Sequence, residues 1–245
     1  MTQSVARGVR ERARAEITRQ IVETARAHLA TDGAAGLSLR AVARDLGMVS
    51  SAVYRYMPSR DDLLTALIVE AYRGLGDAVV AAEAAVPRER HRDRWTTASH
   101  AVRDWALTHP HEYALIYGSP VPGYAAPADT VGPATIVAGV LSQVLADAWH
   151  AGQLRPDPPA ADGDDEAFLA RALAPLEGFT VPEFPRELLM RGLMAITFVF
   201  GAVTFELFGH RHNVVDADPD VRRAYAELEW RRIAALAGLG EPPRR

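Results

Sequence analysis

The chain has 245 residues, 49% hydrophobic and 24% charged, enough for a sizeable core in one or two domains. It contains no cysteine, which excludes disulfides and thiolate metal sites and fits a reducing compartment. Its net charge of −4 is unevenly spread: residues 1–60 hold ten arginines against five acids, and the rest holds 17 basic against 26 acidic groups, with no lysine anywhere. A basic head on an acidic body points to a polyanion partner for the head, the alternative being ordinary solvated helix charges.

The N-terminus has no apolar leader segment, and the longest apolar run, 192–205, falls short of the ~20 residues a membrane span needs. The expectation is a cytoplasmic protein with no membrane contact, in which that run forms a buried helix.

Helical spacing dominates the whole chain. A first helix is predicted over residues 10–31, with Ile17, Ile21, Ala25 and Leu29 on one stripe and Asp32-Gly33 as its stop. Residues 7–14 read as a disordered tail, with a basic arm as the alternative. A second helix follows Leu37, with Ser38 as N-cap, Leu39, Val42, Ala43 and Leu46 facing inward, and Gly47 ending it. A short third helix covers residues 50–56. A fourth is capped by Ser59, carries Asp61 and Asp62 in its first turn, and runs to about residue 85.

Pro87 breaks the pattern. Helices are then predicted over 89–108, 109–118, 135–151, 164–176, 185–209 and 219–237, with Pro/Gly-rich loops at 118–133 and 152–163 and a disordered tail at 241–245. The fold class is all-α. The domain division is 1–60 for the head and 61–245 for the body, with the helix at 59–85 linking them.

The second helix, the turn at Gly47 and the third helix have the lengths of a helix-turn-helix, whose second helix enters the DNA major groove. At about 100° per residue, Ser50, Ser51, Tyr54 and Arg55 share one arc of the third helix, while Val53 and Met57 face the other way. Hydroxyls, a phenol and a guanidinium are groups that bond phosphates and base edges, and Arg55 has the fork that pairs with guanine.

The stretch GLSLRAVARDLGMVSSAVYRYMPSRDDLL resembles the DNA-binding domain of TetR-type regulators over about residues 10–70. The signature of that family, a tyrosine pattern closing the third helix and then a basic residue, reads here Tyr54-Arg55-Tyr56-Met57 and Arg60. Met57 stands where phenylalanine is usual, and Arg60 where lysine is usual.

The resemblance implies that Ser38 and Arg40 lie at the groove edge, that Ser50, Ser51, Ala52 and Arg55 face bases, and that Tyr54 and Tyr56 clamp the backbone. Arg60 and the start of the fourth helix would hold a phosphate. Ala52 would touch only a thymine methyl, and Tyr56 has packing as its equal alternative. Residues 90–210 resemble the C-terminal halves of an actinobacterial subgroup, which enclose an apolar pocket and dimerise through their last two long helices.

That implies a C2 homodimer through about 185–209 and 219–237, where Gly192, Ala195, Gly201 and Ala202 permit close helix approach. Candidate pocket residues are Trp95, His100, Arg103, Trp105, Tyr113, Tyr117, Trp149, Phe198 and Phe205; aromatic residues at helical spacing also make ordinary cores.

Other chemistry is poorly supported. His109-x-His111 and His210-x-His212 lack a third ligand for zinc, Gly118-Ser119-Pro120 is no nucleophile elbow, and residues 162–166 make no full calcium loop. No cofactor and no catalysis are expected. The expected protein is a repressor that binds a palindromic DNA operator as a homodimer and is released by a small apolar effector. The alternatives are a DNA-bound adaptor for a protein partner, or an enzyme whose helix-turn-helix head is incidental.

Overall fold

A computed structural model describes residues 2–154, 163–174, 184–215 and 217–240, with backbone alone for 2–10 and 163–166. Eleven α-helices occur among the described residues. They are α1 (Thr2–Gly36), α2 (Leu39–Asp45), α3 (Ser50–Val53), α4 (Arg60–Ala84), α5 (His91–Thr108), α6 (Pro110–Tyr117), α7 (Val131–Ala134), α8 (Ile136–His150), α9 (Gly163–Leu173), α10 (Arg186–Leu207) and α11 (Pro219–Leu236). The only β pairing among them is a single bridge, Leu154 to Leu239.

The packing forms two compact units. One comprises Met1–Gly74 with His109–Ala134, the other Leu75–Thr108 with Thr135–Arg245, so the chain crosses between them inside α4.

The first unit is built on α1, whose predicted stripe is real: Ile21, Ala25 and Leu29 are buried, joined by Leu39, Val42, Val53, Met57, Leu63, Leu64 and Leu67. Burying such aliphatic side chains stabilises by about 1.5–3 kcal/mol each, which holds the two short helices α2 and α3 that could not stand alone. An ion pair and a hydrogen bond add to the frame: Arg26 bonds Glu70 at 2.5 Å, and His28 Nε2 lies 2.6 Å from the Asp45 carboxylate, tying α1 to α2.

Three local expectations are corrected. Helix α1 begins at Thr2, so residues 7–14 form no disordered tail. Gly33 breaks it as predicted (φ 66°, ψ 175°), but a last turn follows to Gly36. Ser38 occupies the backbone N-cap position of α2 with its carbonyl bonded by Val42 N, yet its hydroxyl makes no capping bond. The helix predicted over 164–176 is seen as α9, and the expected tail at 241–245 lies outside the described residues.

In the second unit α5 packs against α8, α10 and α11, with Trp95, Val102, Val144, Val199 and Trp230 at or near zero exposure. Helix α10 is 22 residues long, and it is apolar enough to cross a membrane by length and composition alone. The 192–205 run judged too short is therefore part of a longer apolar helix. One face of it packs on α5, α8, α9 and α11. The other leaves Met194, Phe198, Phe205 and Phe208 exposed.

Candidate nucleic-acid interface

The turn between α2 and α3 is set by Gly47. Its φ of 64° is left-handed, which costs an L-residue about 1 kcal/mol or more. Gly47 N bonds Arg44 O at 3.1 Å and Met48 N bonds Ala43 O at 2.9 Å, the paired reverse bonds of a Schellman ending. The chain therefore leaves α2 at a fixed angle and enters α3 at Ser50.

Helix α3 is regular only through Val53. Beyond it, Arg55 N reaches Ala52 O and Tyr56 N reaches Val53 O, three-residue bonds that tighten the exit turn. Burial of Val53 and Met57 anchors this turn from below. Ser51, Tyr54 and Arg55 come out together on its exposed side, while Ser50 and Ala52 are half-buried beside them.

Tyr56 turns inward instead and packs against the core, with the Arg14 guanidinium 5.5 Å above its ring. Arg14 Nη2 also donates to Arg55 O at 3.4 Å. The sequence gives no local sign of this contact, because its partners are 41 residues apart.

The cations of this unit fall into two groups. Arg19 is paired with Glu16 and Glu23, and Arg26 with Glu70 and Glu112. Arg60 donates to Ala34 O at 2.8 Å and Ala35 O at 3.3 Å, closing the last turn of α1. By contrast, Arg40 on α2 and Arg55 beyond α3 are exposed, and their side chains have no partner among the described residues. Ser59 caps α4 as expected, its Oγ accepting from Asp62 N at 3.0 Å and donating to the Asp62 carboxylate at 2.6 Å. Asp61 and Asp62 thus place negative charge at that helix start.

Of the nine pocket candidates, two lie in the first unit and seven in the second. Tyr113 and Tyr117 belong to the first unit, where Tyr117 stands edge-on to Tyr72 with ring centroids 5.9 Å apart. Burial, together with the neighbouring Tyr72 and Tyr113, pushes the Tyr117 phenol well above its ordinary range.

The other seven lie in the second unit. Trp95 is wholly buried and Trp105 nearly so. Arg103 is bound through two nitrogens to Glu206 at 2.6 and 2.8 Å, and His100 lies 2.7 Å from Glu227. Trp149 meets Phe184 at 5.9 Å. Phe198 and Phe205 lie on the outer face of α10, 38% and 53% exposed. A cleft of about 220 Å³ lies in the second unit beside Glu206, Arg211, His212, Arg222 and Tyr225.

A tight turn between two short helices, presenting hydroxyls and an unpaired guanidinium on a small helical unit, defines a helix-turn-helix DNA-binding protein. Known proteins agree. Residues 21–67 match the model of bacterial regulatory proteins of the tetR family, and residues 95–228 that of the tetracyclin repressor-like C-terminal domain. HTH-type transcriptional regulators of Mycobacterium tuberculosis (strain H37Rv) and Mycobacterium bovis are each 41% identical over 228 residues, covering 90% of this chain and 93% of theirs.

The crystal structure of the regulatory protein SCO4313 superposes with a TM-score of 0.71 at 32% identity, covering 92% of this chain and 98% of that one. A TetR family transcriptional regulator from Thermus thermophilus shares the fold alone, with a TM-score of 0.54 at 15% identity over 86% of this chain and 97% of its own. The chain belongs to the TetR family of DNA-binding transcriptional regulators, a family of regulators and not of enzymes.

Proposed function

We propose that this protein is a cytoplasmic, ligand-responsive repressor that binds a palindromic operator as a homodimer. The observation that carries the proposal is the uncovered apolar face of the second unit. Met194, Phe198 and Phe205 recur along α10, and Val221, Tyr225, Leu228 and Leu236 along α11, each more than a third exposed. So much aromatic and aliphatic surface on two adjacent helices is costly in water and is the usual mark of a permanent contact. A second copy offers a self-complementary face, and a two-fold pair presents two α3 turns to two half-sites about one helical turn apart.

On each half-site Ser51 and Arg55 read base edges, with Ser50 and Ala52 beside them. Tyr54 bonds a phosphate, and Arg40 neutralises the adjoining backbone. Arg60 and Ser38 shape the unit, and Tyr56 supports the turn from behind. The effector part of the proposal draws on the match to the tetracyclin repressor-like C-terminal domain. A small molecule that prefers a dimer with its reading turns wrongly spaced releases the operator, and a 100-fold release needs about 2.7 kcal/mol of such preference.

A second reading, an adaptor that covers the same face with a different protein, is favoured by the same exposed strip. Sedimentation of the purified chain separates the two, because a repressor is dimeric alone and an adaptor is monomeric. Selection of bound duplexes from genomic fragments then tests the operator. An inverted repeat supports the reading, and a monomer that selects single unrepeated sites overturns it.

A further inference from the structure

Arg14 sits on α1, far from α3 in sequence, yet its two side-chain contacts among the described residues fall in the turn just past α3. Its Nη2 donates to the Arg55 carbonyl, and its guanidinium carbon lies 5.5 Å from the Tyr56 ring centroid. Arg55 lies two residues past the end of α3, and a guanidinium that donates to its carbonyl ties α1 to the turn that follows α3. The 3.4 Å hydrogen bond is long for its kind, which leaves the cation–π contact with the Tyr56 ring as a second hold on the guanidinium.

The root of the clamp is firm. Two and three turns further along α1, Ile21, Val22 and Ala25 are buried in the core of the same unit. What the clamp holds is the backbone of residues 55 and 56, from which the exposed Arg55 side chain departs without a protein partner among the described residues. A long side chain on a backbone free to swing would sample many directions. Bidentate pairing with a base tolerates little misplacement.

We infer that Arg14 is a positioning residue for sequence reading: it fixes the exit turn of α3 and so sets the aim of Arg55. The inference rests on Arg55 being a base reader. Lysine would not replace Arg14, since a point charge can approach the carbonyl but has no plane to lie on the ring.

The test uses the full chain, a duplex that it selects from a random pool, and a scrambled duplex of equal composition. Affinity for both is measured at several salt concentrations for the wild type, Arg14→Lys, Arg14→Ala, Arg55→Ala and Arg14→Ala/Arg55→Ala. Arg55→Ala is expected to lower the selected-to-scrambled ratio by about 5-fold or more. Arg14→Lys should lower the same ratio by about threefold or more while leaving the salt slope unchanged. The double variant should discriminate no worse than Arg55→Ala.

Equal losses on both duplexes would make Arg14 a simple phosphate contact and overturn the inference, as would losses that multiply in the double variant or an Arg14→Lys variant that discriminates like the wild type. An Arg55→Ala protein with full discrimination would overturn Arg55 as reader and the positioning role with it, and is recognised from that arm alone. Should Arg14→Ala fail to fold by its helical circular dichroism, Arg14→Lys carries the decision.

Discussion

The guanidinium of Arg94 on α5 is wholly buried and meets the carboxylate of Glu83, near the end of α4, at 2.5 Å. Around this pair Asp147 on α8 lies 2.8 Å from Arg94 Nη1, the Arg88 carbonyl accepts from the same nitrogen, and Arg88 bonds Asp147 at 2.6 Å. Two arginines and two acids thus bind the α4 end, the following loop, α5 and α8 within the second unit. Removing one member of such a set leaves charge buried without compensation, which is far costlier than the set is stabilising. Glu83→Gln should lower unfolding free energy by about 3 kcal/mol in urea titrations. A loss under about 1 kcal/mol would mean that water reaches Arg94 and takes over the role.

Asp147 makes the same network sensitive to acid. Burial alone pushes its carboxyl up, but hydrogen bonds from Gln143 and Arg94 and the charges of Arg88 and Arg94 outweigh this and hold it below the ordinary carboxylate value. A carboxyl lowered on folding adds stability that is present above its unfolded value of about 4 and is lost as pH falls through the lower folded value. Urea midpoints measured at pH 7, 5 and 3.5 should therefore fall more steeply for the wild type than for Asp147→Asn. Parallel curves would show that Asp147 titrates as it does in the unfolded chain.

Gly76, inside α4, lies against α8. A Cβ there would stand 2.8 Å from Ile136 Cγ2 and 3.0 Å from Ile136 Cβ. Isoleucine is stiff at its first side-chain torsion, so the neighbour cannot swing aside and the helices must separate. Gly76→Ala gains about 1 kcal/mol in helix propensity, yet it should be net destabilising, since overpacking costs about 1–3 kcal/mol. Adding Ile136→Ala should recover stability relative to Gly76→Ala. A single variant that melts above the wild type would show that the α4–α8 contact is looser than its geometry.

Gly47 tests the turn itself. Its φ of 64° and the two reverse bonds at Arg44 O and Ala43 O fix how α3 leaves α2. Gly47→Ala should lower the thermal midpoint by an amount equivalent to about 1–2 kcal/mol. It should also weaken duplex binding beyond what that loss of folded protein explains. Unchanged affinity in the folded fraction would separate the turn geometry from DNA recognition.

Much of this architecture is legible from the chain alone, and the reason is local. Apolar spacing in α1, α4 and α5 and the glycine after α2 state their roles within a few residues. The two buried anchors Val53 and Met57 likewise identify the exposed side of α3.

What could not be read depends on partners distant in sequence. Nothing near Arg60 announces the Ala34 carbonyl, and nothing near Arg14 announces Tyr56. Nothing near His100 and Arg103 announces Glu227 and Glu206, which reach them from more than a hundred residues later. Helix α10 misleads for another reason: apolar nearly all round, it has no periodicity from which to tell the packed face from the bare one carrying Phe198 and Phe205.

The partition of the chain into two units also sorts its chromophores. All four tryptophans, at 95, 105, 149 and 230, fall in the second unit, whereas six of the seven tyrosines fall in the first. Indole emission excited at the red edge therefore watches the body only, and the DNA-reading half is dark at that wavelength. Trp230, buried and edge-on to His100 at 6.3 Å, stands where α5 and α11 meet, so its quenching follows that seam without any attached dye.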